Sequence, residues 1–202
     1  MSRIRSARHA SSSSSPRGVS DDVFKAGGGG LEHRVAMNVS IHPFEASDWS
    51  ALWPILHATF SKGDTYTFPA GAGEEAVFNA WIKTPTASFV ACDASGQVLG
   101  SYYIKPNQPG NASHVCNCGY VVAEAARGNG VASLMCEHSQ ATATGLGFLA
   151  MQFNFVASTN TGAIGLWQKL GYDIVGTLPR AFRHPQAGFV DAHVMYKWLA
   201  VR

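Results

Sequence analysis

The chain has 202 residues, enough for one domain with a substantial core. Hydrophobic residues make up 46% and charged residues 14%, without a heptad or Gly-X-Y period, which excludes the disordered, coiled-coil and collagenous classes. No apolar run approaches the ~20 residues that span a bilayer. Residues 37–202 hold nine basic and ten acidic residues, so a basic nucleic-acid-binding face is not expected either.

Residues 1–36 differ in composition from the rest of the chain. They contain a run of five serines at 11–15 and a run of four glycines at 27–30, with almost no apolar periodicity. Such a segment cannot offset the entropy lost on ordering, so we expect a flexible tail, with the folded domain occupying 37–202. The tail lacks the apolar stretch of a secretory signal, which favours a cytoplasmic location, and its Arg- and Ser-rich start leaves organelle targeting as the minor alternative.

The cysteines are Cys92, Cys116, Cys118 and Cys136, and without a secretory signal they are expected to be free thiols. His114, Cys116 and Cys118 alternate along a predicted strand, so all three would share one face. A metal site would need a fourth ligand and a turn-type spacing, which are absent. We therefore expect small buried thiols and no metal.

The first half of the domain predicts a strand, two helices and a hairpin. An apolar stripe at helical spacing runs from Trp49 to Phe60, and Pro54 within it should kink the first helix or delay its start. Residues 93–96 (Asp-Ala-Ser-Gly) are a hairpin turn signal. The predicted elements are a strand at 39–41, a helix capped by Ser47 or Asp48, a helix at 74–83, and strands at 88–92 and 98–104.

The second half alternates strand and helix and then ends on two strands. A strand–helix–strand crossover that follows a hairpin meander implies one mixed sheet covered by helices. No internal repeat is evident, so one domain is predicted. The predicted strands are 115–122, 148–156, 172–175 and 189–198, and the predicted helices are 130–144 and 161–170.

Residues 120–133 carry the most informative pattern, in which a β-branched strand enters a turn with two glycines and a helix follows at once. The free N–H groups and dipole at that helix start form an anion site, and Arg127 adds a positive charge, which indicates a phosphate or pyrophosphate ligand. Ser133 replaces the third glycine of a dinucleotide fingerprint, and the Gly-Lys-Ser/Thr of an NTPase loop is absent. A plain helix-capping turn at Gly128 and Gly130 remains the alternative.

Two motifs resemble the GNAT superfamily of acetyl-CoA-dependent N-acetyltransferases. Arg127-x-x-Gly130-x-Ala132 is similar to the superfamily's pyrophosphate motif, and residues 160–172 (NTGAIGLWQKLGY) are similar to its second signature. The resemblance covers residues 37–202. It implies an α/β fold with a mostly antiparallel, twisted mixed sheet of six to seven strands flanked by about four helices, and acetyl-CoA as co-substrate. The residues implied to bind acetyl-CoA are Tyr120, Val121, Val122, Arg127, Gly128, Asn129, Gly130, Val131, Ala132, Ser133, Asn160 and Trp167.

Within that superfamily, three segments resemble the L-azetidine-2-carboxylate (proline-analogue) acetyltransferase branch. They are residues 100–107, 113–120 and 153–160. By this resemblance Asn117 and Asn154 would hold a small amino-acid substrate, while Asn160 would contact CoA. The residues themselves agree, because Asn117 and Asn154 interrupt otherwise apolar strands, where an amide needs a partner. Satisfaction of both amides by the backbone alone remains the alternative.

A general acid and a general base are not evident. Trp167 stands where most members of the superfamily have a tyrosine that can protonate the departing thiolate, and an indole only donates a hydrogen bond. A purely structural Trp is the alternative. His114 is the best ionisable candidate near Asn117, and these two are the candidate catalytic residues. Otherwise catalysis would depend on positioning and on a backbone N–H near Val122 that polarises the thioester.

Three functions fit this pattern: acetyl transfer to a small amine by direct attack in a ternary complex, non-catalytic acyl-CoA binding, and protein acetylation. The net charge of −1 over residues 37–202 is too small to attract basic protein tails strongly, which favours the first. The expected partner is a small-molecule amine, with neither nucleic acid nor membrane, and a homodimer is left open. Asp191 resembles a frequent family acid and is expected to be structural.

Overall fold

A computed structural model describes residues 38–199, so the predicted tail and Met37 lie outside the described residues. The four helices are α1 Trp49–Ser61, α2 Glu74–Phe78, α3 Val131–Gly145 and α4 Thr161–Lys169. The seven strands are β1 Ser40–Pro43, β2 Ala87–Cys92, β3 Val98–Pro106, β4 Val115–Val122, β5 Ala150–Ala157, β6 Asp173–His184 and β7 Gly188–Trp198.

The strands form one sheet in the order β1-β2-β3-β4-β5-β7-β6. Every neighbouring pair is antiparallel except β4 and β5, which are parallel. The parallel pair arises because α3 forms the crossover between these two strands. The predicted α/β class with a mostly antiparallel mixed sheet is confirmed.

Apolar side chains cover the sheet on both faces. One cluster packs under α1 and α2 and includes the buried Leu52, Leu56, Phe60, Val77, Trp81 and Val90. The other packs under α3 and α4 and includes the buried Tyr102, Ile104, Met135, Met151, Trp167 and Tyr172. The sheet is therefore the middle layer of the domain, and its strands alternate side chains between two cores.

The predicted helices of the first half are present. Pro54 lies inside α1 on its exposed side, and the helix runs on through it to Ser61. After α2 the chain continues as a π-helical turn, Asn79–Lys83, which completes the predicted second helix. In the hairpin turn between β2 and β3, Asp93 Oδ1 accepts hydrogen bonds from the backbone N–H groups of Ser95 (2.9 Å) and Gln97 (3.0 Å).

The predicted strand at 172–175 is wrong in length, since β6 extends from Asp173 to His184. Pro179 is tolerated because β6 is the edge strand of the sheet. The register shifts between Leu178 and Phe182, where Arg180 has a φ of +53°. Asp191 on β7 accepts a hydrogen bond from the Arg180 N–H at 2.8 Å, so this carboxylate stabilises the bulge, a structural role.

All four cysteines are free and buried, as the sequence predicts. Within residues 38–199, no helix combines the length and apolar character needed to cross a bilayer. The same part of the chain contains no group of three His, Cys, Asp or Glu side chains that could hold a metal ion.

Candidate active site

A cleft opens where β4 and β5 separate. The two strands pair only at Val115↔Ala150, Cys116↔Met151 and Asn117↔Gln152. Beyond this point they diverge around a cleft of about 260 Å³. Its lining consists of residues 65–67 of the α1–α2 loop, Tyr103 of β3, residues 117–120 of β4, residues 153–157 of β5, Asn160 just before α4, and Ala163 and Trp167 of α4.

The lining of the cleft combines apolar and polar groups and is uncharged, since it contains no Asp, Glu, Lys, Arg or His side chain. Aromatic rings dominate the walls, and Trp167 packs against Tyr120 and Phe153 with ring centroids 5.0 and 5.2 Å apart. The polar side chains of the lining include three amides, those of Asn117, Asn154 and Asn160. Such a lining suits a small ligand held by hydrogen bonds and apolar contact.

Asn117 is buried and held on both sides of its amide. Its Nδ2 donates to the backbone oxygen of Gln152 at 2.9 Å, and its Oδ1 accepts from the Tyr103 hydroxyl at 3.1 Å. Burial raises the pKa of Tyr103 to about 12, so this hydroxyl remains a donor near neutral pH. One N–H of the Asn117 amide is left over for a ligand.

The Tyr103 ring reaches Asn117 by lying across Gly119. A Cβ atom at Gly119 would stand 2.6 Å from Tyr103 Cε1, far closer than real contacts allow. Tyr103 and Gly119 are directly opposite each other in the β3–β4 register. The missing side chain at 119 is therefore what lets the ring form part of the cleft wall.

Asn154 is exposed and lies at the same end of the cleft. Its Oδ1 accepts from Gln152 Nε2 at 2.9 Å, and its Nδ2 donates to Asn107 Oδ1 at 2.6 Å. Asn117 bonds the backbone of the same Gln152. The two predicted substrate amides thus belong to one hydrogen-bonded chain of amides that ends at Asn107.

Tyr66, in the α1–α2 loop, is a site residue that the sequence reasoning missed. Its hydroxyl donates to the backbone oxygen of Tyr120 at 2.8 Å and accepts from the Tyr120 N–H at 2.9 Å. These are backbone groups of β4 in the stretch where β5 no longer pairs with it. Burial raises the pKa of Tyr66, so the group remains a neutral hydroxyl.

The glycine turn after β4 leads directly into α3. Gly128 and Gly130 have φ values of +76° and +82°, conformations that other residues rarely adopt. Gly130 is the N-cap of α3 and supplies no side-chain cap, whereas the N-cap of α4, Asn160, accepts from the Ala163 N–H at 3.3 Å. The first-turn N–H groups of α3 are therefore left for an anion, and the turn fits a pyrophosphate.

The other residues predicted to bind acetyl-CoA surround this turn. Arg127 and Asn129 are exposed in the turn, and residues 131–133 form the first turn of α3, whereas the buried Val121 packs in the cluster under α1 and α2. Val122 lies two residues after Tyr120, so its N–H points to the same side of β4 as the Tyr120 N–H. Because Tyr66 already occupies the Tyr120 N–H, Val122 offers the next donor along the strand.

His114 does not line the cleft. It is exposed at the start of β4, where β4 and β5 are still paired, and its ring centroid lies 6.3 Å from that of Trp198. The predicted proton-transfer role of His114 therefore has no support in this geometry. Glu124 is likewise outside the cleft: Lys62 Nζ lies 2.7 Å from its carboxylate and lowers the pKa of Glu124.

The sequence model of the Acetyltransferase (GNAT) family matches residues 49–172, more than half of the chain. The chain belongs to this family. The matched segment contains β4, the glycine turn, α3, β5 and α4, which are the elements that build the cleft and the anion site. In this GNAT chain Trp167 is a buried wall residue of the cleft.

Relatives of this GNAT chain include N-acetyltransferase aca1 of Schizosaccharomyces pombe, which is 34% identical over 111 residues, or 54% of this chain and 53% of that protein. The chain thus spans about half the length of this relative. A GCN5-related N-acetyltransferase from Kribbella flavida is 40% identical with a TM-score of 0.76, over 79% of this chain and 97% of that one. A phosphinothricin acetyltransferase from Sinorhizobium meliloti, solved with acetyl-CoA, shares the fold at 19% identity and a TM-score of 0.72, over 81% and 90% of the two chains.

Proposed function

We propose that this chain transfers the acetyl group of acetyl-CoA to the amine of a small molecule, by direct attack in a ternary complex. The observation that carries the proposal is the continuity of β4. Residues 117–120 of the strand line the uncharged cleft, and after Val122 the chain leads into the uncapped glycine turn before α3. A ligand with a pyrophosphate at the turn and a thioester at the cleft would follow this strand.

In the proposed reaction the neutral amine attacks the carbonyl carbon of the thioester. The C–N bond forms, the C–S bond breaks, and CoA leaves as a thiolate while the amine releases its proton to solvent. In this proposal the Val122 N–H polarises the carbonyl oxygen. The Tyr66 oxygen has a second lone pair beside the one that accepts from the Tyr120 N–H, and this lone pair can accept from the amine N–H.

The dimensions and charge of the cleft favour a small acceptor over a protein tail. Its volume of about 260 Å³ lies below the ~300–1,000 Å³ of pockets for drug-sized ligands. No carboxylate lines it that could attract a lysine side chain. Proline-analogue amino acids are the first candidates, because the motifs around Asn117 and Asn154 resemble that branch.

A panel of acceptors tests this function. The chain is incubated with acetyl-CoA and either small amines, azetidine-2-carboxylate included, or peptides with free N-termini and lysines, and both CoA thiol and N-acetylated product are measured. We expect equal amounts of both with a small amine. Acetyl-CoA binding without thiol release from any acceptor would indicate a binding module, and preference for peptides would indicate protein acetylation.

Location and assembly stay predictions. A cytoplasmic location follows only from the sequence of the tail. A homodimer would have apolar surface available to it, since Val175, Leu178 and Phe189 on β6 and β7 are 59%, 43% and 68% exposed. Sedimentation of the purified chain would determine the oligomeric state.

The three asparagines should separate acceptor binding from acetyl-CoA binding. Replacing Asn117 or Asn154 with Ala is expected to lower kcat/KM for the amine by about 10- to 150-fold, equivalent to ~1.5–3 kcal/mol for a hydrogen bond to a charged group. Asn160→Ala should instead lower the affinity for acetyl-CoA, because Asn160 is the residue implied to contact CoA and lies at the start of α4, on the other side of the cleft. Steady-state kinetics with both substrates varied measures each effect. An equal loss of acetyl-CoA affinity in all three variants would mean that the amides only support the fold.

The pH dependence of kcat/KM should follow the ionisation of the acceptor amine. The titratable groups of the cleft lining are Tyr66, Tyr103, Tyr120 and Cys118, and burial raises the pKa of each, that of Tyr103 to about 12. All four therefore stay protonated and neutral across pH 6–9, and none can act as a base there. Log kcat/KM should rise with unit slope until the pKa of the acceptor amine is reached.

Two amines of different pKa provide the control for this profile. When one amine substrate is replaced by an analogue with a lower pKa, the midpoint of the pH profile of kcat/KM should fall with the pKa of the amine. A midpoint that stays near 6.5 for both amines would contradict the prediction and would assign the base to a histidine of the protein.

A further inference from the structure

Lys105 lies beside the cleft at its amide end. It is directly opposite Asn117 in the β3–β4 register and is half-buried. Its Nζ is 5.3 Å from the centroid of the Tyr103 ring, which is the ring that lines the cleft and bonds Asn117. The ammonium thus lies over a ring that forms part of the cleft wall, at the strand position opposite Asn117.

No acidic side chain pairs with this ammonium among residues 38–199, where the ion pairs are His42–Asp48 and Lys62–Glu124. Lys197, by contrast, donates to Gln140 Oε1 and to the backbone of Leu170. This ammonium is stacked on a ring, partly desolvated and without an anionic partner. Such a cation is suited to bind an anionic group of a ligand.

The amide chain places further donors at the same end. Asn117, Gln152 and Asn154 each use one amide N–H in the hydrogen bonds described above, and each keeps a second. Asn107, where the chain ends, follows Lys105 by two residues. An ammonium beside several free N–H donors and no carboxylate is the environment that a carboxylate group requires.

The distance between the two ends of the cleft suits an α-amino acid. Asn117 and Tyr120, whose backbone holds Tyr66, are three residues apart on β4, or about 10 Å between Cα atoms. The amine and a carboxylate oxygen of an α-amino acid are about 3 Å apart, and a hydrogen bond of ~2.9 Å at each end extends this span to about 9 Å. The two lengths are similar, which is the size match expected if one α-amino acid lies between these two positions.

We propose that Lys105 binds the carboxylate of the acceptor and so selects amino acids over amines that lack this group. The inference rests on the proposed acetyl transfer to a small amine, and it assigns to Lys105 a part in acceptor specificity. Tyr66 would face the amine and Lys105 the carboxylate, with the Tyr103 ring between them as the common wall.

The test compares azetidine-2-carboxylate with its carboxamide, in the original chain and in Lys105→Met. We expect the original chain to prefer the acid by about 10- to 100-fold in kcat/KM. Lys105→Met should lose that preference through a higher KM for the acid, while kcat/KM for the carboxamide stays within twofold. Lys105→Arg should recover part of the preference, because it restores the charge.

Lys83→Met is the matched control, because Lys83 also stacks on an aromatic ring, Phe78, with its Nζ 5.5 Å from the centroid, and it does not line the cleft. It should keep the acid preference. An equal loss for acid and carboxamide in Lys105→Met, or an original chain without preference, would overturn the role of Lys105 alone. Failure of the original chain to acetylate either compound or any other amine would overturn the proposed function itself.

Discussion

Replacing Gly130 with Glu is expected to lower the affinity for acetyl-CoA by roughly 30- to 150-fold, which corresponds to ~2–3 kcal/mol. The new carboxylate would stand at the uncapped start of α3, where the N–H groups and helix dipole otherwise attract a pyrophosphate. Because the site is exposed, salt screens part of this repulsion, so the loss should be largest at low ionic strength. Calorimetric titration with acetyl-CoA measures it.

Gly96→Glu is a close control for this variant. Gly96 has a φ of +84°, against +82° for Gly130, and a Cβ at either position meets open space. Both variants should therefore lose similar amounts of stability from the left-handed backbone, about 1–2 kcal/mol. Only the variant at 130 should lose acetyl-CoA affinity. Unchanged affinity in a folded Gly130→Glu chain would contradict the assignment of the turn.

Replacing Gly119 with Val should reduce kcat/KM for the amine by about 100-fold while acetyl-CoA affinity changes little. The added Cβ would come within 2.6 Å of the Tyr103 ring, so the ring must leave its place across β4. Its hydrogen bond to Asn117 would then break, and the cleft wall would move into the acceptor site. Overpacking of this kind lowers the free energy of unfolding by ~1–3 kcal/mol.

Gly176→Val, on β6, is the control for the general effect of replacing a strand glycine with a β-branched residue. A Cβ at Gly176 meets only Val194 at an ordinary 3.9 Å. This variant should keep the amine kinetics of the original chain. Normal amine kinetics in a folded Gly119→Val chain would show that the Tyr103 ring does not define the acceptor site.

Local patterns predicted the central part of the fold well. The mostly apolar run at 115–122 predicted the bounds of β4, and the two glycines after it marked the turn, because both signals depend on neighbouring residues only. Such local patterns could not predict where β6 ends. The bulge at Arg180 depends on a hydrogen bond to Asp191, eleven residues later on the partner strand.

The site was predicted in part for the same reason. Asn117 and Asn154 stood out as amides within apolar strands, and both line the cleft. Tyr66 could not be identified, since it lies in a loop without periodicity and meets Tyr120 54 positions later in the chain. His114 was chosen for its chemistry and its closeness to Asn117 in sequence, whereas the structure puts it outside the cleft.

Two measurements test direct attack in the cleft most directly. The first is the initial velocity with acetyl-CoA and amine both varied, and the second is the mass of the protein after exposure to acetyl-CoA alone. Cys118 supplies the thiol of the cleft lining, and burial raises the pKa of this thiol, so it should not accept the acetyl group. Direct attack predicts intersecting double-reciprocal lines, no acetylated protein, and normal turnover in Cys118→Ser. Parallel lines with an acetyl adduct on Cys118 would contradict it.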